Sequence, residues 1–384
     1  MAPDAPAPAP RLHVARLALR DWRNYDAAAL ALPPAGLALV GDNGQGKTNV
    51  LEALYYLNLF RSVRAARDRE LVRFGAPAFH VSAEVEGSPR HCLRVGVGYE
   101  SASQRKKVTL DGVEVTRLSD AVGAVPSVLL SPDDVQLVRG APGERRRYLD
   151  VALSLTDRRY LHALQRYRHA LAQRNAALRA ALGRIDDAAL ASAAVFEPTL
   201  AESGALLLAR RQAWVERAAP RYDALLAAIG ERAPVKLALR RFGAGETDEA
   251  ALSRALADSL ASHRASDARR GTTHGGPHRD DVQLLLDGRD LRSFGSAGQQ
   301  RSAALALRVL EAELLRDGLG VAPLLLLDDP FAELDAGRAA RILALLGDRE
   351  LGQVVLAVPR GEDVPRALGH LATVPVHGGA LHAD

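Results

Sequence analysis

The feature that most restricts what this chain can fold into is an eight-residue string, Gly41-Asp42-Asn43-Gly44-Gln45-Gly46-Lys47-Thr48. It lies between a short apolar run and a longer segment of helical periodicity. The run GLALV, Gly36 to Val40, is bounded by Pro34 and Gly41 and reads as a buried strand. From Lys47 onward, TNVLEALYYLNLF spaces Val50, Leu51, Leu54 and Leu57–Leu59 at helical intervals. The string itself fits G-x-x-x-x-G-K-[ST]. Its glycines let the backbone curl so that successive N–H groups point inward, and the helix start adds partial positive charge to the same spot. Such a loop suits phosphate oxygens, with Lys47 reaching the β- and γ-phosphates of a nucleotide and Thr48 holding Mg²⁺. The plain alternative is a glycine-rich turn with no ligand. The complete match in its strand-to-helix setting weighs against that.

Much later in the chain, Leu324 to Leu327 form a four-residue apolar run that ends in Asp328 and Asp329. A buried parallel strand would deliver Asp328 beside the phosphate loop, where it holds Mg²⁺ directly or through water. Asp329 would then lie by the γ-phosphate and orient, or take a proton from, an attacking water. Between the two motifs stands Ser296-Ala297-Gly298-Gln299-Gln300, ahead of a helix expected from about Gly298 to Arg316. A Ser and a Gly at a helix start with no acid in the first turn make an anion site. They also make an ordinary helix cap, so this motif alone decides little. The order of the three motifs is that of the ABC-type ATPases. Pro330-Phe331-Ala332-Glu333-Leu334-Asp335 stands where those enzymes carry a loop that crosses a dimer interface, although it also reads as a simple lead-in to the next helix. QVVLAV, Gln353 to Val358, is a third buried strand.

Composition narrows the setting. The chain has 384 residues, 48% of them hydrophobic and 25% charged, which is ordinary for a globular protein of about two or three domains. No apolar run approaches the ~18 residues of a membrane span. The single cysteine, Cys92, cannot pair within the chain, which suits a reducing cytoplasm. It reads as a small core residue, not a nucleophile. Residues 1–10, Pro/Ala-rich, read as a flexible tail. Strand-rich ends, 11–142 and 271–384, enclose a helical middle, 143–270. The expected fold is therefore α/β, a P-loop ATPase lobe in two parts with a mainly helical second lobe inserted.

The charge is unevenly placed. The net charge is +4, yet residues 144–180 hold nine arginines against three acids, a local +6. The stretch Arg61–Arg73 adds five arginines against two acids, and Arg105, Lys106 and Lys107 sit near a hairpin expected at Asp111-Gly112. Such concentrations drive binding to a phosphate backbone, though a solvated helix face has the same composition. With only 4% aromatic residues, the pattern agrees with duplex backbone contact more than with base stacking. The candidate DNA contacts are Arg145, Arg146, Arg147, Arg61 and Arg64. His278, Asp280 and Asp281 in GPHRDD resemble a metal cluster, but no second His or Cys lies at ligand spacing, and a structural or interface role is favoured.

Particular strings carry a resemblance. They are Arg23-Asn24-Tyr25, the phosphate loop followed by TNVLEALYYL, and Phe60-Arg61-Ser62 with RDRELVRFG. LLSPDDVQLVRGAPGERRRYLD from Leu129 to Asp150, YRHALAQRNAAL from Tyr167 to Leu178, and GPHRDDV from Gly276 to Val282 complete the set. With these, the chain from about Leu12 to Ala357 resembles the RecF family of bacterial recombination and gap-repair ATPases. The resemblance implies an ABC-type head like those of SMC proteins, without their long coiled coils. It implies ATP and Mg²⁺ as cofactors and an ATP-dependent homodimer. In that dimer Ser296, Gly298 and Gln299 of one copy would complete the nucleotide site, Gly41–Thr48, of the other. Also implied are slow ATP hydrolysis, binding to double-stranded and gapped DNA, a cytoplasmic location, and help to RecR and RecO in loading RecA. The alternatives are a clamp that binds ATP without turning it over, or another ABC-type ATPase subunit. Two departures bear on turnover. After the third buried strand the chain reads Val358-Pro359-Arg360, where ABC-type ATPases place a His or Thr against the γ-phosphate, so Arg360 is the candidate substitute. Asp329 stands where most have Glu. Gln136 is the candidate for the loop glutamine that ligands Mg²⁺.

Overall fold

The computed structural model describes residues 12–382 apart from 65, 88–91, 183–185, 244, 332–333 and 349–351. The Pro/Ala-rich tail and two residues of the loop after the acidic strand, Ala332 and Glu333, lie outside the described residues, as does the side chain of Cys92. The chain divides into two compact units, residues 1–134 with 307–384, and residues 135–306.

The first unit contains two six-stranded sheets. One is ordered Ala380–Leu381, Ala372–His377, Gly36–Val40, Val354–Val358, Leu324–Asp328, Ser127–Leu130. It is parallel except for the hairpin formed by its first two strands. The three apolar runs read from the sequence are its central strands. Leu37–Leu39, Leu324–Leu327 and Val355–Val358 are all buried, because a parallel sheet covered on both faces needs continuous apolar sequence. The second sheet is antiparallel, ordered Tyr25–Ala31, His13–Trp22, Ala78–Glu86, Cys92–Glu100, Arg105–Leu110, Val113–Glu114. Its strands alternate instead: Val81, Ala83 and Val85 are buried while Glu84 is half-buried and Glu86 exposed. The Asp111-Gly112 turn has positive φ at both residues, 52° and 81°. A two-residue hairpin of right-handed twist requires this.

Helix Lys47–Leu59 touches strands of both sheets and is buried on almost every side. It has no polar face because it has no solvent face. Trp22, Tyr56 and Phe79 meet edge-on with centroids 4.9–5.8 Å apart and join it to the antiparallel sheet.

The second unit is built on helices Pro142–Thr156, Arg158–Ala180, Glu197–Ile229 and Glu249–Arg270. It is wider than the helical stretch 143–270 read from the sequence. Strand Asp281–Leu286 pairs antiparallel with Val235–Arg240 and brings the following residues into the same unit. Its interior holds arginines. Arg211 donates to Asp150 (2.8 Å), Asp280 (2.7 Å), the Pro277 carbonyl (2.6 Å) and the Tyr160 hydroxyl (3.0 Å). Arg174, fully buried, donates to Asp267 (2.8 Å), Thr273 (2.7 Å) and Glu197 (3.0 Å). His278 and Asp280 of GPHRDD belong to this packing. The His278 Nδ1 lies 2.6 Å from the Tyr167 hydroxyl. Among the described residues, no group of three or more His, Cys, Asp and Glu is placed to hold a metal, and no helix is long and apolar enough to cross a membrane.

Candidate functional site

The strand Gly36–Val40 ends at Gly41, and the chain turns through Asp42–Gly46 into helix Lys47–Leu59. Two glycines are required here for space, since neither position has room for a side chain. A Cβ on Gly41 would lie 2.3 Å from the Val376 carbonyl oxygen. One on Gly46, at φ 117°, would lie 2.6 Å from the Asn24 side chain and 2.8 Å from the Tyr25 hydroxyl. Asn43, Gly44, Gly46, Lys47 and Thr48 line a cleft together with Asn49, Arg64, Asp328, Asp329, Ala357 and Pro359, all from the first unit.

Within the cleft the Thr48 hydroxyl donates to Asp328 Oδ1 at 3.0 Å, across 280 residues of sequence. Lys47 lies across the loop and donates to the Gly41 and Asp42 carbonyls. Burial pulls its pKa down, with Asp328, Asp329 and Asp42 acting against that. Burial likewise raises the Asp328 carboxyl, opposed by the Thr48 hydrogen bond and by Arg64. Asp329 adopts φ 42°, while its N–H donates to the Ala357 carbonyl at 2.9 Å. That left-handed conformation is uncommon outside glycine.

A hydroxyl beside a carboxylate is a hard oxygen pair of the kind Mg²⁺ takes, with waters and phosphate oxygens completing the shell. Charge points the same way. Lys47 and Arg64 balance Asp328 and Asp329, so a triphosphate entering alone would bring its negative charge against two carboxylates. The residues present therefore fit a divalent cation held by Thr48 and Asp328.

Not every residue read from the sequence faces this cleft. Gln45 turns away: its side-chain oxygen accepts from the Gly378 N–H at 2.7 Å, and its carbonyl accepts from Asn24 (3.0 Å) and the Gly379 N–H (3.1 Å). Asp42 is exposed and does not line the cleft, and Gly41 supports the loop from beneath. Pro359, not Arg360, reaches the cleft. The Arg360 side chain is exposed and pairs with Glu362 at 3.2 Å. Gln136 is an exposed residue of the second unit at the start of helix Gln136–Arg139, and it is not among the residues lining the cleft.

Ser296, Gly298 and Gln299 also belong to the second unit, at the start of helix Ala297–Leu319. The Ser296 hydroxyl accepts from the Gln299 N–H (3.2 Å), and the Gln299 side chain accepts from the Ser296 N–H (2.9 Å). The two bonds form a reciprocal cap. Gln299 thus serves its own helix, and Ser296 is exposed at its tip.

The arginines divide sharply. Arg145 is buried and forked onto Asp281 (2.8 and 3.1 Å) while it donates to the carbonyls of Leu137, Val138 and Gly140. Arg146 is half-buried and donates to the Asp280 carbonyl at 2.6 Å. Arg145 is therefore a structural residue and leaves the set of DNA contacts. Arg147, Arg158, Arg159 and Arg179 are exposed on helices Pro142–Thr156 and Arg158–Ala180. Arg61 and Arg64 are both exposed on the first unit, and Arg64, two residues beyond Ser62, also lines the cleft. Lys106 pairs with Asp68 (2.7 Å) and donates to the Phe60 carbonyl, and Lys107 pairs with Glu114 (3.0 Å).

Sequence reasoning gives no role to Arg23-Asn24-Tyr25. These residues hold the loop from below. Asn24 bonds Gln45 and Asn49, Tyr25 bonds the Gly46 carbonyl (3.2 Å), and Arg23 forks onto Glu52 (2.9 and 2.9 Å).

The RecF/RecN/SMC N-terminal-domain model matches residues 13–367. The DNA replication and repair protein RecF of Symbiobacterium thermophilum is 39% identical over 342 residues, covering 87% of this chain and 88% of that protein. RecF of Anaeromyxobacter sp. strain K is 42% identical over 337 residues, covering 86% and 88%. A solved structure described as the recombination mediator protein RecF with ATP in the RecFOR pathway superimposes with TM-score 0.89 at 27% identity, covering 98% of this chain and 99% of that one. The Smc head domain of Pyrococcus furiosus, at TM-score 0.56 and 16% identity, shares the fold.

Proposed function

The chain belongs to the RecF/RecN/SMC family, and from that premise we propose that it is an ATP-binding protein of DNA replication and repair that closes into a dimer on duplex DNA. The observation that carries this reading is the Thr48–Asp328 pair at 3.0 Å in a cleft that also holds Lys47, Arg64 and Asp329. Backbone N–H groups of the phosphate loop and the Lys47 ammonium would bind the phosphates. Mg²⁺, when bound, neutralises phosphate charge there, with Thr48 and Asp328 as its protein ligands. Arg64 adds a second cation on the side of the acidic strand. Asp329 would orient a water for slow hydrolysis.

The exposed start of helix Ala297–Leu319 offers N–H groups and the Ser296 hydroxyl to the nucleotide of a second copy. ATP then becomes part of the interface, and its hydrolysis releases the partner. The exposed arginines Arg147, Arg158, Arg159 and Arg179, with Arg61, would meet the phosphates of double-stranded or gapped DNA. By analogy with the RecFOR relatives, the downstream step would be assistance to RecR and RecO in loading RecA. The cleft residue Pro359, in place of a His or Thr, favours a second reading in which ATP is held without turnover. Phosphate release with gapped duplex present separates the two.

Sedimentation with and without MgATP, in the presence of duplex DNA, tests the main reading. The chain should shift from monomer to dimer with MgATP, and Lys47→Met should not. A monomer that binds MgATP and DNA without dimerising would refute it.

A further inference from the structure

Ser62 is buried, yet it lies two residues from Arg64, at the cleft. Its hydroxyl donates to Glu52 Oε1 at 2.6 Å and accepts the Arg64 backbone N–H at 3.1 Å. Glu52 is itself almost wholly buried, and Arg23 forks onto both of its oxygens. Glu52 stands four residues after Thr48 on the same face of helix Lys47–Leu59, so the phosphate end of that helix and the Arg64 loop hang on one hydrogen-bonded relay. Buried and fully engaged, such a relay is stiff. A loop arginine on a flexible stem has many positions, and a fixed backbone removes most of them before a ligand arrives.

We infer that Arg23, Glu52 and Ser62 are positioning residues that hold Arg64 at the phosphate end of the cleft, and so set its preference for a nucleoside triphosphate over a diphosphate. The inference rests on the nucleotide reading above. Arg64 lines the same cleft as Thr48 and Asp328, the pair that would hold the cation, so it stands on the side where a terminal phosphate and its cation would sit. A relay that lets the loop wander therefore costs triphosphate affinity and spares diphosphate affinity. Loss of general stability would lower both.

The test is fluorescence titration of the full-length protein with MgATP and with MgADP, using Ser62→Ala, Arg64→Ala and the double variant. Loss of a charge-assisted hydrogen bond predicts about ten- to a hundredfold weaker MgATP binding for Arg64→Ala, with MgADP changed by less than about twofold. Ser62→Ala should weaken MgATP by about three- to tenfold, again sparing MgADP. The double variant should match Arg64→Ala alone, because Ser62 acts through Arg64. Glu52→Gln, which keeps the shape and loses the charge, should lower the same ATP-to-ADP ratio and serves if Ser62→Ala proves unstable. Fold-losses that multiply in the double variant, or a Ser62→Ala protein that loses ATP and ADP binding equally, would overturn the relay while leaving the nucleotide reading intact. A parent protein that binds neither nucleotide would overturn both.

Discussion

Arg145 is the sharpest place to test burial against sequence charge, because composition alone puts it on the DNA surface. Arg145→Ala removes a fork from Asp281 and three bonds to the carbonyls of Leu137, Val138 and Gly140. The side chains of the pair are only 8% and 12% exposed, so water replaces little of what is lost. Leaving one partner of a buried pair alone costs about 3–5 kcal/mol. At about 2–4 °C per kcal/mol for a unit of this size, the melting transition should fall by about 6–20 °C. DNA affinity, measured well below that transition, should match the parent protein at every salt concentration. Arg147→Ala, on the exposed side of the same helix, should flatten the log-affinity against log-salt line by about 0.9. An Arg145→Ala protein that melts with the parent, and whose salt line flattens instead, would refute the assignment of Arg145 to the interior.

Two further predictions concern the second unit. Ser296→Arg should leave MgATP binding by the monomer within about twofold and block ATP-dependent dimerisation in sedimentation, since the added side chain occupies the helix start that a second nucleotide would meet. Dimers formed normally by that variant would remove the exposed helix start from the interface. His278 is held to a pKa of about 4 by burial, aided by Arg279, Arg146 and Arg211 and opposed by its bond to the Thr273 carbonyl. An unfolded histidine takes its proton near 6.5. Between these two values the unfolded chain binds more protons, so stability is present above about pH 6.5 and is lost as pH falls toward 4. From pH 7 to 5 the loss is about 2 kcal/mol, and His278→Asn should remove that much of the slope in urea midpoints taken across the range.

What is legible in the sequence follows from the physics of each element. The three central strands of the parallel sheet can be read because burial on both faces demands unbroken apolar runs, and the phosphate loop because its glycines have no substitutes. The pairing of Thr48 with Asp328 follows from those two. The arginines are misread for a different reason. Composition counts a charge wherever it falls, whereas Arg145 and Arg174 meet acids 136 and 93 residues away that only the fold brings to them. Gln45 sits inside a phosphate-binding string, yet its direction is set by backbone N–H groups of the turn at Gly378-Gly379, which no local pattern reports. Arg64 counts in the sequence as one more of a basic cluster. The signal that separates it is its place just beyond Phe60-Arg61-Ser62, at the end of the helix that starts at the phosphate loop.

The position of strand Gly36–Val40 bears on how the molecule comes into being. Both of its neighbours in the sheet, Val354–Val358 and Ala372–His377, leave the ribosome long after it, once the whole helical unit has been made. Until then the strand that leads into Lys47 has neither edge paired, and the nascent chain carries half of a nucleotide cradle. Contacts between such distant segments form slowly. A chain cut short before Val354 would keep the eight-residue string intact, still tied to Asn24 and Tyr25, but would lack both strands that flank Gly36–Val40.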